Sequence, residues 1–439
     1  MNKETKKMIP GIRFPEFVNE GEWVEKQVDE LGETINGLSG KSGEDFGSGK
    51  PYVTYKQVFD NSFVDFSVCG KVNIGENEKQ NTLQKGDVLF TTSSETPNEV
   101  GYASVLLESP KETTYLNSFC FALRPFEIEK IQPEFSRYLF HSPIYRKSII
   151  TLAQGSTRYN ISKGAFKNLK LPLPKPNEQQ KIASCLSSLD EVIAAHNQKL
   201  DSLKDHKKGL MQNLFPQEGE KKPKYRFKEF ENDGEWAEKS LIDTVDKKVK
   251  WSFTGGPFGS NLMASDYTAN GIRIIQLQNI GDGEFMDKYK IYTSIEKADE
   301  LRSCNIYSGE IILSKMGDPV GRACIIPENI NRCVMASDGI RLAVDEKKYS
   351  KYFIYSLINS IRIREAIEKK ATGSTRKRIG LDELRGIKLT MPSQIKEQQK
   401  ISDSLLSIDT IIMAQAEKIE QLKLHKKGLM QGLFPKIDS

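Results

Sequence analysis

The sequence predicts an α+β fold: two mixed α/β modules separated by a pair of long antiparallel coiled-coil helices, arranged as a pseudo-two-fold internal repeat. Three observations predict it. A 39-residue segment is written twice. Each copy carries a sustained heptad pattern. The stretches outside the copies hold short β-branched runs between turn signals.

The repeat comes first because it organises the rest. Residues 178–216 read EQQKIASCLSSLDEVIAAHNQKLDSLKDHKKGLMQNLFP, and residues 397–435 read EQQKISDSLLSIDTIIMAQAEKIEQLKLHKKGLMQGLFP. They align without a gap at an offset of 219 (397 − 178), with 23 identities in 39 positions, far more than composition alone would give. Fainter echoes surround them. FPEF then GEW (14–17, 21–23) returns as FKEF then GEW (227–230, 234–236). KGDVLF (85–90) resembles SGEIIL (308–313), and QGSTR (154–158) resembles TGSTR (372–376). LKLPLP (169–174) resembles IKLTMP (387–392). Each half is therefore a variable module followed by a constant segment.

In the first constant segment the apolar positions are Ile182, Leu186, Leu189, Ile193, Leu200, Leu203, Leu210 and Leu214. In the second they are Ile401, Leu405, Ile408, Ile412, Ile419, Leu422, Leu429 and Leu433. With His196 and Lys207, or Gln415 and Lys426, filling the gaps, the steps alternate four and three, which is a heptad. Pro176 and Pro392 precede the helices, late lysines suit their negative ends, and Phe-Pro stops each. Each predicted helix runs about 33 residues, or roughly 50 Å. Such a stripe must pair. Both halves of a seam lie in one chain, so internal antiparallel pairing is the simplest expectation; pairing with another chain is the alternative. The polar positions His196 and Gln415 would fix register.

Between the constant segments, Tyr52–Tyr55, Val88–Thr92 and Val105–Leu107 in the first half read as strands, as do Ile272–Ile275, Ile311–Leu313 and Ala323–Ile326 in the second. Phe135–Leu152 and Tyr349–Lys370 have helical spacing, and GGPFGSNL (255–262) is a loop. Each GSTR motif follows its helical stretch. A Gly-Ser-Thr turn with an arginine offers backbone N–H, hydroxyl and guanidinium donors suited to phosphate. The plainer reading is a turn whose hydroxyls satisfy its own backbone; two copies followed by RYN and RKR favour nucleic-acid backbone contact. Gln and Asn at strand ends suit adenine edges, and Lys and Arg suit guanine. The candidate DNA-contacting residues are accordingly Lys56, Gln57, Thr91, Thr92, Ser156, Thr157, Arg158 and Tyr159 in the first module. In the second they are Gln276, Gln278, Asn279, Ser314, Lys315, Ser374, Thr375, Arg376, Lys377 and Arg378.

Bulk composition sets bounds. The 439 residues exceed one ordinary core. A net charge of +5 permits nucleic-acid binding without arguing for it. Six cysteines without a C-x-x-C pair, and four histidines, argue against a metal site. MNKETKKMIPGIRF does not read as a signal peptide and no apolar run approaches a membrane span, so a cytoplasmic protein with reduced thiols is expected. GSGKP (47–51) departs from a phosphate-binding loop, with Glu44 where glycine is needed and Pro51 where Ser or Thr is needed. Neither G-x-S-x-G nor H-E-x-x-H occurs, and no N-P-P-[FYW] or S-adenosylmethionine fingerprint is present. A binding protein is favoured over an enzyme such as a fused methyltransferase or a nuclease. A coiled-coil scaffold that binds only proteins is the other alternative.

The paired P-x-x-x-EQQKI helix starts and HKKGLMQ-x-LFP ends, the two GSTR motifs, and GPFGSNL with KMGDPVGRA (315–323) together resemble the specificity subunits of Type I restriction-modification systems. The likeness covers essentially the whole chain. It implies target-recognition domains at 1–176 and 217–395, conserved spacer helices at 177–216 and 396–435, and a tail at 436–439. It further implies that each domain reads half of a bipartite duplex-DNA site and that the helices set the spacing and dock two methyltransferase subunits. The chain itself would be non-catalytic and without cofactor. S-adenosylmethionine would belong to the methyltransferase partner, and ATP and Mg to restriction subunits. The first module departs more from the pattern, with TTSSETPNEVG (91–101) where the second has SKMGDPVGR.

Overall fold

A computed structural model describes residues 8–374 and 376–436. Residues 1–7, the candidate Thr375, and the 436–439 tail beyond Lys436 lie outside them. The described residues form two compact units, 8–197 with 417–436, and 198–416. The first long helix, Pro176–Leu214, begins in the first unit and ends in the second. The second, Ile395–Gly432, begins in the second unit and ends in the first.

In the first unit the central sheet is antiparallel, in the order Gly32–Asn36, Cys120–Pro125, Val88–Thr91, Ala103–Val105. Successive side chains on a strand face opposite sides, and both sides are buried. Val88, Phe90, Phe121 and Leu123 enter the large core against the helices, while Leu89, Ala122 and Ile35 enter a smaller one. The second unit repeats the order with Phe253–Gly255, Gly339–Leu342, Ile311–Ser314 and Ala323–Ile325. There Ile311, Leu313, Ile340 and Leu342 face the large core, and Ile312 and Cys324 the smaller one. Double burial explains why these runs read as continuously apolar instead of alternating. A two-stranded ribbon also recurs, Val24–Gln27 with Lys170–Leu173 and Ala237–Ser240 with Lys388–Met391. The remaining sheets differ. The first unit has three strands (Gly70–Val72, Phe46–Val53, Tyr115–Leu116), and the second has a mixed five-stranded sheet around Ile272–Ile275 and Arg332–Met335.

The two helical stretches expected to be continuous are each broken. Phe135–Leu152 is covered by two helices, Pro133–Leu139 and Pro143–Ile150, the second ending before Leu152: Ser142 caps the second helix and Pro143 opens it, and a proline cannot continue the preceding turn. Tyr349–Lys370 becomes Lys351–Ile358 and Ile361–Lys370. The Asn359 amide at that break donates to Ala323 O and Tyr355 O, fastening the corner to the sheet.

The constant motifs tie the helices to the modules. Glu178 accepts a two-pronged bond from Arg13 (2.8 and 2.7 Å), and Glu397 accepts one from Arg226 (2.7 and 2.8 Å) and the Trp236 indole N–H (3.1 Å). Gln179 binds Lys130 O, Pro174 O and the Gln132 N–H; Gln398 binds Pro392 O and the Ser350 N–H. The Phe of each Phe-Pro stop joins an aromatic cluster. Phe434 lies 5.9 Å from Trp23 and 5.8 Å from Phe135, and Phe215 lies 5.6 Å from Phe353, itself 6.0 Å from Trp236. The echoed GEW motifs and LFP stops thus meet in space.

Lys207 and Lys426, expected to fill polar seam positions and to suit the helix ends, are bound to carboxylates of the other long helix. In the first unit Lys426 pairs with Asp190, which also accepts from Arg137 and the Tyr138 hydroxyl. In the second unit Lys207 pairs with Asp409, which also accepts from the Tyr352 hydroxyl. Every one of the expected seam residues is buried or half-buried. Their surroundings divide them. Ile182, Leu186 and Leu433 belong to the first unit's core, and Leu214, Ile401 and Leu405 to the second's, with Leu429 and Leu210 packed beside them. Leu189, Ile193, Leu200, Leu203, Ile408, Ile412, Ile419 and Leu422 lie along the middle of the helices. Among the described residues no helix is long and apolar enough to cross a membrane.

Candidate nucleic-acid interface

In each unit the described residues of the GSTR motif lie in the same kind of tight hairpin. Gln154 and Asn160 exchange backbone bonds (3.0 and 2.8 Å), as do Thr372 and Arg378 (2.9 and 2.8 Å). Gly155 and Gly373 sit at φ +133° and +108°, where a Cβ would meet Arg158 O at 2.1 Å and Arg376 O at 2.8 Å, so both positions need glycine. Each hairpin is laid against the loop that leaves the second strand of its central sheet in chain order. In the first unit Tyr159–Asn160 pairs with Ser93–Ser94. In the second, Gly317 N–H donates to Lys377 O (3.1 Å) and Ile379 N–H to Lys315 O (3.0 Å).

The hydroxyls at the base of these loops are interior. Thr91 is fully buried and accepts from the Tyr102 N–H at 3.0 Å; Ser314 is fully buried and accepts from the Arg322 N–H at 2.9 Å. Both therefore close their loops and do not present themselves to a ligand. Gln57 is buried, its amide donating to Asp65 O, and Asn279 is fully buried between Met286 O and Tyr289 O. These four candidates are corrected to structural roles: Thr91, Ser314 and Asn279 spend their bonds inside the protein, as does the Gln57 amide N–H, while the buried Gln57 Oε1 has no partner among the described residues.

The second unit brings the other motifs together at one cleft of about 870 Å³. Pro257, Gly259 and Leu262 of the GPFGSNL loop form one wall with Tyr267. Gln276, Leu277 and Gln278, Arg322, the 336–338 turn and Arg378 form the rest. The Gln278 amide donates to the Gln276 carbonyl at 2.8 Å. Arg378, half-exposed, reaches Asp338 at 3.2 Å and the Met316 sulfur at 3.7 Å. Arg322 Nε is buried and has no hydrogen-bond partner among the described residues. Ser374 and Arg376 are exposed at the hairpin tip, while Lys315 and Lys377 are half-buried, Lys377 paired with Glu368.

The first unit's cleft, about 420 Å³, is lined by Tyr55, Phe59, Ser93, Ser94, Glu95, Glu99, Phe119 and Arg158. Ser156 and Thr157 are exposed at its hairpin tip; Thr92 and Tyr159 are half-buried beside it. Lys56 is exposed but paired with Asp60 at 2.7 Å, and it does not line the cleft. The two clefts differ in charge: one arginine faces two glutamates in the first, and two arginines face one aspartate in the second. The hairpin arginine at each cleft also comes from a non-equivalent position, since Arg158 aligns with Arg376 and not with Arg378.

Glu95, Glu99, Phe119, Asp338 and the apolar wall were not among the sequence candidates. They lie on irregular loops, where no periodicity marks which side chain turns toward the cleft. Among the described residues no group of His, Cys, Asp or Glu could hold a metal ion.

The arrangement offers a guanidinium and hydroxyl-bearing turns at an open cleft in each unit, with the Gln276 and Gln278 amides added in the second. That is chemistry suited to base edges and phosphates. Comparison with known proteins agrees. The family model for the Type I restriction modification DNA specificity domain matches residues 20–205 and 262–424. The MjaVIII specificity subunit of a Type I restriction enzyme from Methanocaldococcus jannaschii is 24% identical over 302 residues, 68% of this chain and 69% of that protein. The putative MjaX specificity subunit from the same organism is 26% identical over 426 residues, 94% and 93% of the two chains. Among solved structures, the S subunit of a Type I restriction-modification system from M. genitalium superposes with a TM-score of 0.54 at 16% identity, covering 98% of this chain and all of that one. A chain from a study of complex assembly and conformational transition in the Type I system gives 0.59 at 16%, covering 94% and 97%. At that identity the two structures speak for the fold, and the family model speaks for descent. The chain belongs to the family of Type I restriction-modification DNA specificity subunits.

Proposed function

We propose that this chain reads a bipartite duplex-DNA site on behalf of partner enzymes and performs no chemistry itself. Each module would read one half-site through its cleft. The two long helices would pair antiparallel as a coiled coil and fix the distance between half-sites. Support for that pairing comes from each unit taken alone: Asp190 near the start of one helix binds Lys426 near the end of the other, and Lys207 with Asp409 does the converse. Helices of 39 and 38 residues extend about 58 Å. That exceeds one turn of B-DNA, about 34–36 Å.

Exposed apolar side chains on the helices suit docking of two methyltransferase subunits: Val192 and Leu424 in the first unit, and Leu406, Ile411 and Met413 in the second. Those subunits would supply S-adenosylmethionine chemistry on adenine N6. Restriction subunits would add ATP- and Mg-dependent cleavage, and the complex would work in the cytoplasm. The observation that carries the reading is the convergence of GPFGSNL, QLQN, the KMGDPVGR loop and the basic hairpin on one cleft.

The test is methylome sequencing of a host expressing this chain with its neighbouring methyltransferase, against a host carrying the methyltransferase alone. N6-methyladenine in one bipartite motif, dependent on this chain, is expected; a complex that forms yet methylates no motif overturns the proposal. In that assay Arg378→Ala should relax the motif at one position of one half-site, and in salt-dependent titrations of the purified complex with DNA it should weaken binding by about 1–3 kcal/mol. Arg376→Ala at the exposed tip should weaken all sequences alike and flatten the salt dependence by roughly one counterion. Equal behaviour of the two variants would remove Arg378 from base reading.

A further inference from the structure

We propose that Phe258 reads the 5-methyl group of a thymine in the half-site held by the second module, an inference that rests on the cleft being a base-reading surface. Phe258 is 82% exposed, more than any other large apolar side chain among the described residues. Its loop is nevertheless braced. Gly256 N–H donates to Gly339 O at 2.8 Å, and a Cβ on Gly256 would stand 1.8 Å from Ala336 O, so the backbone lies directly on the 336–339 turn. Asn261 N–H donates back to Phe258 O at 2.9 Å, closing a turn over residues 258–261. A phenyl group presented to water on a braced backbone is not serving this protein's own core.

Its neighbours place its backbone at the rim of the cleft. Pro257 and Gly259, on either side of it, line the same cleft as Gln276, Gln278 and Arg378. The Gln278-to-Gln276 bond leaves the Gln276 amide N–H and the Gln278 carbonyl to bond elsewhere. One donor and one acceptor side by side match adenine N7 and N6 in the major groove. The pairing base is thymine, whose methyl is the one apolar feature of that groove. Amides and guanidinium groups gain little from a methyl, and of the apolar side chains on this loop Phe258 is the most exposed, so its phenyl edge is the one free to bury it. The amide pair and Phe258 together therefore complement an A·T pair, adenine on one strand and the methyl on the other.

The test uses the complex of this chain with its methyltransferase, on a duplex carrying the motif found by methylome sequencing. Deoxyuridine replaces each thymine of the half-site in turn, deleting only the methyl. Wild-type complex should lose about fourfold in affinity at one position, the worth of one buried methyl group. Phe258→Ala should bind the thymine duplex more weakly and show no further loss at that deoxyuridine. Because Phe258 packs so little, the variant should melt like wild type, and Phe126→Ala, an exposed phenylalanine of the first unit outside its cleft, should change nothing. An equal deoxyuridine penalty in Phe258→Ala, no penalty anywhere in wild type, or a half-site of G·C pairs alone overturns the assignment while leaving the chain a DNA reader. A complex that specifies no motif removes the DNA reading itself, and this inference with it.

Discussion

Glu397→Ala is expected to destabilise the second unit by about 3–5 kcal/mol, because it removes one partner of a buried ion pair and leaves the other charge uncompensated. The Glu397 carboxylate is 1% exposed and Arg226 8%. Besides the guanidinium, the carboxylate holds the Trp236 indole N–H, so the alanine variant strands two buried donors. The same change at Glu178 should cost less. It strands Arg13 alone, since the Trp23 indole nitrogen is already buried without a partner. Denaturant titration followed by tryptophan fluorescence measures both. Equal midpoints for the two variants, or a Glu397→Ala midpoint indistinguishable from wild type, would show that the bridge is a bystander.

Phe434→Ala should cost the first unit about 3–5 kcal/mol, the usual range for emptying a fully buried aromatic site. The ring is 1% exposed and touches Trp23 edge-on and Phe135 face-on. The effect should be local. The segment at Pro10–Ile12 is attached to the helix end through the Pro10 bridge to Pro435 and the Ile12 N–H bond to Gly432 O, both beside the vacated site. Hydrogen exchange should therefore accelerate in residues 8–23 while residues 198–416 stay protected. Uniform acceleration across both units would refute the assignment of Phe434 to one of them.

Much of this architecture could be read from residue order alone, and the reasons are specific. The long helices announce themselves through Ile182, Leu186 and their counterparts Ile401 and Leu405, because a heptad leaves a periodic trace. The central strands are legible as VLF and IIL, since burial on both faces demands continuous apolar residues. The helix breaks at Ser142–Pro143 and at Asn359–Ser360 were carried in the sequence as well, but apolar spacing runs straight through them and masked the punctuation. The site was harder. Thr91 and Ser314 stand where a strand end opens into a loop, and a hydroxyl there serves equally to bond a ligand or to bond the returning backbone; the buried geometry alone decides. Asp338, Phe119 and Phe258 sit on irregular segments whose direction is set by contacts remote in sequence, such as Gly256 on Ala336. The roles of Glu178, Gln179 and Asp190 were hidden for a related reason: their partners, Arg13, Gln132 and Lys426, lie between 47 and 236 residues away.

The discontinuity of the first unit also bears on how the molecule is made. Residues 198–416 are contiguous and can close their core as soon as they have been synthesised, whereas the first unit draws Leu433 and Phe434 from a segment made more than 200 residues after Leu186. At roughly 5–20 residues per second that interval lasts on the order of 10–50 s on the ribosome. Throughout it the apolar slot between Trp23 and Phe135 stands open, so the module synthesised first becomes the one completed last. Nascent chains should accordingly pass through a stage in which the half nearer the N-terminus needs protection from aggregation while the later half is already folded.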